Sequence, residues 1–394
     1  MTPWGYRCLG VLIALAVSLS AKPQTPAEEV YEWLVAQRSG TISVDSLLSP
    51  SDFKPALVEA VELRTETDGF DWSRQRYSVR ARPLTPARRR AEQRLQQSQR
   101  AVLQRRGQEG VRDADRDALL RLAELVTDRR EIALVDSLRA LQRTLVKLYE
   151  LRLAEAAFDV ERLLDAQDDL ANLDLRESTL TARIDQGNLP LPSDRYVNVP
   201  SIRARLASLR VQTPVVDLRG AEIAVIDAEM QLERAENKQW IDFLALEYRA
   251  GEDLLADQLR VGGSIRLPQR ELTLRALDEL RIERAEEAFD QAADEREAAL
   301  ERDEHIRTLE LLLAEYTAAR ASYRQRAATR SRLLNVYQSN LAAQPERTVK
   351  LQRRNLRDAL ALLSLEEQIL EEYFQLLGLV VVMDAPAVAE WVLD

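Results

Sequence analysis

Residues 57–82 read LVEAVELRTETDGFDWSRQRYSVRAR, and along Leu57 to Thr67 and Ser73 to Arg82 apolar and polar side chains alternate one by one. Val61, Leu63, Tyr77, Val79 and Ala81 take odd positions, while Glu62, Arg64, Glu66, Arg74, Arg76, Arg80 and Arg82 take even ones. Successive side chains of a strand point to opposite faces, so period two with one polar face predicts two strands. The Asp68-Gly69 step between them predicts the turn of a hairpin over 57–83. A second hairpin is predicted over 241–268, from Ile241 to Ala250 and Leu259 to Leu267, joined by Gly251, Glu252 and Asp253. At one constant offset Glu62 falls on Glu247, Arg64 on Arg249, Asp68 on Asp253 and Pro83 on Pro268, so the hairpins read as a duplication. The outgoing strand of the second hairpin inverts the parity, with Val261, Ile265 and Leu267 where the first carries Arg76, Arg80 and Arg82. A bulge at Gly262 and Gly263 is the expected remedy.

Outward from the hairpins, the runs from about Pro86 to Ile184 and from about Glu271 to Leu377 consist of strong helix formers with very few Gly or Pro breaks. Leu134, Leu138, Leu141, Leu145 and Leu148 step by four and three, the spacing of a coiled-coil seam. Leu356, Leu360, Leu363, Leu370, Phe374 and Leu377 repeat it, with Glu367 in the missing slot. Leu362, Leu365, Ile369, Tyr373 and Leu376 add a second seam on an adjacent face, and a helix with two seams has two neighbours. Two helical pairs are thus expected, over 84–186 and 269–380. Between them, 187–240 holds a Pro-containing connection and further helices, broken at Thr213 and Pro214. Residues 22–56 form a short N-terminal segment and 381–394 a C-terminal tail. The fold class is mainly α with a minor β part: two long antiparallel helical hairpins and two β-hairpins per chain.

Met1 to Ala21 has Arg7, an apolar run from Leu9 to Val17 and then Ser18, Ser20 and Ala21, the pattern of a secretory signal peptide. The single cysteine, Cys8, lies inside it, so the mature chain has no disulfide to form. Later segments fall short of the roughly 18 to 20 unbroken apolar residues of a membrane helix, whereas strand-borne insertion is invisible to hydropathy. A formal net charge of -10 at pH 7 argues against nucleic acid as a partner. There is no Gly-rich loop ending in Gly-Lys-Ser/Thr, and His305 is the only histidine, so nucleotide hydrolysis, multi-histidine metal sites and a catalytic triad find no support. His305 sits among charged residues and reads as solvated surface. Asp165, Asp168 and Asp169, and Glu366, Glu367, Glu371 and Glu372, read as solvated helix faces. No enzyme, cofactor or metal is expected.

The order of parts, with the softer stretches Val199 to Tyr248 (Leu206, Thr213, Pro214, Val216, Ala221, Ile223, Ala228, Leu232, Trp240), VGGSIRLP over Val261 to Pro268, and Phe158 to Leu170, resembles the TolC family of outer-membrane efflux proteins. The sequence departs from the family in a first segment cut short to Ala27 to Asp52 and in the lack of the usual Gly after either Tyr149 or Tyr337, residues that the duplication also pairs. The resemblance implies a homotrimer, with an outer-membrane position, a large periplasmic portion and Sec-type export from a Gram-negative cell. It implies a passive exit duct of a tripartite efflux or type I secretion system, with a periplasmic adaptor and an inner-membrane pump as partners. Four strands cannot close in lipid, and three copies of four make a 12-strand β-barrel above an α-helical barrel. Glu62, Arg64, Arg74, Arg76, Arg80 and Arg82 are then lumen-lining candidates, and Val61, Leu63, Tyr77 and Val79 lipid-facing ones. Phe70, Trp72, Trp240, Phe243 and Tyr248 are candidates for the interfacial aromatic girdle. By length, the periplasmic turns are expected near Thr127 to Glu131 and Leu312 to Tyr316, with Asp128 and Glu315 close to them. The competing reading is a periplasmic coiled-coil scaffold or adaptor-like protein whose strands never enter a membrane.

Overall fold

The structure, a computed structural model, describes residues 25–38, 57–67, 75–153, 158–214, 218–249, 259–265, 270–339 and 345–394. Strands β1 (Val58–Thr67), β2 (Gln75–Pro83), β3 (Ile241–Arg249) and β4 (Leu259–Ile265) form one antiparallel sheet in the order β1-β2-β3-β4. The helices are α1 (Pro26–Gln37), α2 (Pro86–Arg152), α3 (Glu161–Gly187), α4 (Val199–Leu209), α5 (Leu218–Asn237), α6 (Arg270–Ser339), α7 (Pro345–Val380) and a short C-terminal α8 (Ala385–Ala387) that continues as a π turn, Val388–Val392. The chain divides into two compact units. One comprises 1–40, 111–215 and 298–394; the other comprises 41–110 and 216–297 and holds the sheet.

In the first unit the apolar seams account for the core. Leu138 and Leu145 of the Leu series on α2 are buried, as are Val135 and Tyr149 one position beyond Leu134 and Leu148, and Leu145 and Tyr149 meet Leu163, Ala166 and Val349 in one cluster. Both seams of α7 are covered: Leu363, Leu370, Phe374 and Leu377 on one, Ile369, Tyr373 and Leu376 on the other. That confirms two neighbours for this helix. The larger cluster joins those residues from Ile369 to Leu377 with Leu119, Leu122, Val126, Ile202, Leu309 and Leu313. Burying each such side chain stabilises by about 1.5 to 3 kcal/mol. Helix α1 docks here through Val30 and Leu34, and its start is fixed by a capping box in which Thr25 Oγ1 accepts from Glu28 N while Thr25 N donates to Glu28 Oε2. Helix α3 stops where Asn188 takes a left-handed conformation, φ 40°.

Two expectations, on the helical turns and on the bulge, are corrected. The turns of the helical pairs are not near Thr127 to Glu131 or Leu312 to Tyr316. With no Gly or Pro after Gly110 to stop it, α2 runs 67 residues to Arg152, and α6, which has neither, runs 70 to Ser339. Asp128 and Glu315 are therefore mid-helix. The pairs are unequal, because the return helices have only 27 and 36 residues. The C-terminal tail is part of the core: Val388 and Val392 are fully buried, Tyr373 Oη donates to Trp391 O at 2.9 Å, and Arg205 donates to Trp391 O and Leu393 O. Nor is there a bulge at Gly262 and Gly263. The register shifts lie between Val58 and Ala60 on β1 and between Ile241 and Phe243 on β3.

Candidate channel wall

Residues paired across antiparallel strands share a face, so the register sorts the sheet into two. One row runs Leu63↔Val79↔Leu246↔Val261, flanked by Val61↔Ala81↔Leu244↔Gly263 and by Thr65↔Tyr77↔Tyr248↔Leu259. The other face carries Arg64↔Ser78↔Glu247↔Arg260, then Glu62↔Arg80↔Ala245↔Gly262, with Glu66↔Arg76↔Arg249 towards the hairpin connections and Ala60↔Arg82 towards the helices. Val261 and Ile265 thus join the apolar face through β3, whose bulge at Asp242 lets Ile241 meet Ile265 on that side.

The apolar face is bare. Val61, Leu63, Leu244, Leu246, Leu259, Val261 and Ile265 are between 46% and 80% exposed, a contiguous surface on one side of a sheet. Among the candidate residues, Val61, Leu63, Tyr77 and Val79 share this face, and Tyr248 joins them opposite Tyr77. Leu244, Leu246, Leu259, Val261 and Ile265 belong with them, and the alternation of 241–267 was their signal once the register is known.

The polar face is more shielded, with Arg76, Ser78, Arg80, Ala245, Glu247 and Arg249 only partly exposed. Glu62 accepts from Arg64 at 3.0 Å, and Glu247 lies 3.6 Å from Arg249 and 3.9 Å from Arg76. Each such solvent-accessible pair contributes about 0 to 1 kcal/mol. Phe243 lies on this face, apart from the other girdle candidates: the Arg80 guanidinium sits 4.9 Å above its ring. Trp240 is 68% exposed just before β3. Phe70, Trp72 and Arg74 lie outside the described residues. Arg249 and Arg260, absent from the initial set, complete the cationic side.

The elbows where strands become helices are held by Arg88. Its guanidinium reaches Glu59 at 3.1 Å, Glu92 at 3.1 Å and Glu236 at 3.3 Å, and Gln239 Nε2 donates to Pro83 O at 3.0 Å. Burial alone would lower the Arg88 pKa, but Glu236, Glu59 and Glu92 outweigh it and raise it. Glu59, the bulged residue of β1, is thereby turned to the helices.

Elsewhere the helices carry charge that is structural. His305 is not on a solvated surface: its ring is 15% exposed, with Nδ1 2.7 Å from Glu372 Oε1. The glutamates of α7 are also engaged, since Tyr316 Oη donates to Glu366 at 2.6 Å, while burial and then Glu371 raise the pKa of Glu367. Asp128 is 3% exposed and accepts from Arg183 at 2.9 Å; burial raises its pKa, Arg183 opposes this, and Glu131 and Glu124 add to it. Among the described residues no group of three or more His, Cys, Asp and Glu is placed to hold a metal ion, and no helix is long and apolar enough to cross a membrane. A second bare apolar series lies on α6. Phe289, Leu300 and Leu311 are 73%, 65% and 72% exposed and fall at near-whole numbers of helical turns.

No family model matches this sequence, and no curated protein matches it. Solved structures do. CusC, studied for transmembrane channel formation, aligns with a TM-score of 0.58 at 13% identity over 90% of this chain and 88% of its own. The Campylobacter jejuni CmeC outer membrane channel aligns with a TM-score of 0.56 at 11% identity, over 90% and 83%. The Vibrio cholerae outer membrane protein VceC aligns with a TM-score of 0.53 at 13% identity, over 90% and 92%. The chain therefore has the TolC-like fold: a four-stranded antiparallel sheet with long helices, as in these outer-membrane channels.

Proposed function

We propose that this protein is a TolC-family outer-membrane duct, a homotrimer whose sheets close into a 12-strand β-barrel and whose helices continue it through the periplasm. The observation that carries the reading is the bare apolar face of the sheet, from Val61 and Leu63 across to Val261 and Ile265. In water such a surface costs about 25 cal/mol for each Å² left wet, and hydrocarbon removes that cost. Strands β1 and β4 have no second partner among the described residues, and lipid tolerates no open edge, so a membrane sheet needs further copies to close it. The exposed series Phe289, Leu300 and Leu311 gives those copies a helical surface to meet. Solutes pass through without chemistry, supplied by an inner-membrane pump and a periplasmic adaptor. Val61, Leu63, Tyr77, Val79 and Tyr248 face lipid; Glu62, Arg64, Arg76, Arg80 and Arg82 line the lumen.

The alternative, a periplasmic scaffold, is disfavoured by the same bare face. The deciding measurement is the native mass of the mature protein after cell fractionation. The duct requires a detergent-dependent particle of three chains in the outer membrane. A water-soluble monomer or dimer would overturn it in favour of the scaffold.

A further inference from the structure

The polar face of the sheet is not electrically balanced. It presents Arg64, Arg76, Arg80, Arg82, Arg249 and Arg260 against Glu62, Glu66 and Glu247, and counting the bulged Asp242 on this side still leaves cations in excess. The available carboxylates are also unevenly used. Glu62 is bonded to Arg64, and Glu247 is shared between Arg76 and Arg249. Arg80, Arg82 and Arg260 have no carboxylate partner among the described residues.

Arg80 is held where a pore needs it. It is central on β2, its guanidinium rests on Phe243, and its Nε makes no hydrogen bond among the described residues. The row beyond it is small, Ala245 then Gly262, and a Cβ placed on Gly262 would meet nothing within 4 Å. A side chain pinned over a ring beside unfilled space is a fixed positive charge facing room for a solute. The net acidity of the chain makes this local excess more notable, since its formal charge is -10 overall.

Resting on the channel reading above, we propose that the sheet forms an anion-selecting filter, with Arg80, Arg82 and Arg260 as its uncompensated charges and small hydrated anions or anionic organic solutes as its preferred cargo. Threefold repetition makes each of these residues a ring. Guanidinium groups stay charged at any working pH. The preference is sensitive to salt: the screening length falls from about 10 Å at 0.1 M to about 3 Å at 1 M, so a filter acting across a lumen weakens as ionic strength rises.

The test is the zero-current potential of the purified trimer in planar bilayers under a KCl gradient, with heat-resistant trimer on gels as the folding control. The wild type is expected to pass chloride several-fold better than potassium, less so in a concentrated gradient. The triple variant Arg80→Glu, Arg82→Glu, Arg260→Glu is expected to reverse the sign, and the Arg→Gln triple to fall between. A cation-selective wild type, or a glutamate triple that forms trimers with unchanged selectivity, overturns the filter and leaves the duct standing. A verified outer-membrane trimer that conducts nothing overturns the duct, and the filter with it.

Discussion

Replacing Val79 by Lys and, separately, its neighbour Ser78 by Lys tests the orientation of the sheet with two changes one residue apart. Val79 sits mid-strand, paired with Leu63 on one side and Leu246 on the other, and is 40% exposed. Ser78 points the opposite way, between Arg64 and Glu247. If the apolar face meets hydrocarbon, a Lys at mid-depth costs about 2 to 4 kcal/mol per chain, hence roughly 6 to 12 kcal/mol per trimer. Ser78→Lys, in a wet lumen with Glu247 beside it, costs about 0 to 1 kcal/mol. The cost on the apolar face should also fall with depth. Leu259→Lys, at the strand end nearest the hairpin connections, is expected to cost about 0 to 1 kcal/mol if that end lies at the interface. The assay is the yield of heat-resistant trimer in outer-membrane fractions, with urea midpoints in lipid vesicles for variants that assemble. Since 1.4 kcal/mol is about tenfold in population, Val79→Lys should be nearly absent where Ser78→Lys is near wild type. Equal yields for the two would refute the assignment of faces, and a reversed order would turn the sheet inside out.

Much of this wall was legible because β1 and β2 largely separate their faces: Val61, Leu63, Tyr77, Val79 and Ala81 hold odd positions, and Glu62, Arg64, Glu66, Arg76, Arg80 and Arg82 hold even ones. The second hairpin hid its register for a physical reason. Its irregularity is a bulge at Asp242, in a run with no Gly to mark it, while the conspicuous Gly262 and Gly263 are regular ladder residues. Phe243 reads as a girdle aromatic by type, and only the pairing reveals that it serves as the platform for Arg80. Helix ends failed where composition gave no stop: Leu153 to Ala157 are all helix formers, so length was the only guide, although the paired Tyr149 and Tyr337 do stand close to the ends of α2 and α6. His305 looked solvated because its local neighbours are charged. Beside the local Glu301 at 3.7 Å, its nearer carboxylate, Glu372, is on another helix, and no local pattern names a partner at that separation.

Arg88→Ala should loosen the strand-to-helix elbow, losing charge-assisted bonds to Glu59, Glu92 and Glu236 at about 1.5 to 3 kcal/mol before discounting for the exposed partners; the protease susceptibility of 57–110 in the folded protein reads this out, and unchanged cleavage would deny the clamp. At Gly187 an added Cβ would come within 2.3 Å of the Leu125 side chain, itself buried, and Trp33 Nε1 donates to the Gly187 carbonyl at 3.0 Å, so Gly187→Ala should destabilise by about 1 to 3 kcal/mol in thermal melts; an unchanged melting temperature would mean that the core yields there. Glu367 supplies a dependence on pH. Burial first, then Glu371, Asp128 and Glu131, raise its pKa, with Arg183 opposing. The folded state therefore binds the proton more tightly than the unfolded chain. The stabilisation is complete below the unfolded carboxylate pKa of about 4.3 and is lost as pH rises through the folded value, beyond which stability is level. Asp128 and Glu371 are raised as well and act in the same direction, whereas Glu346, lowered by Lys350, Tyr149 and Arg152 against its burial, acts in the opposite one. Glu367→Gln should accordingly raise the melting temperature at pH 7.5 and flatten its fall between mildly acidic and neutral pH. A variant less stable than wild type at pH 7.5, with the slope retained, would show that Glu367 is held by favourable contacts as a carboxylate and that the like charges around it are not what governs this stretch of α7.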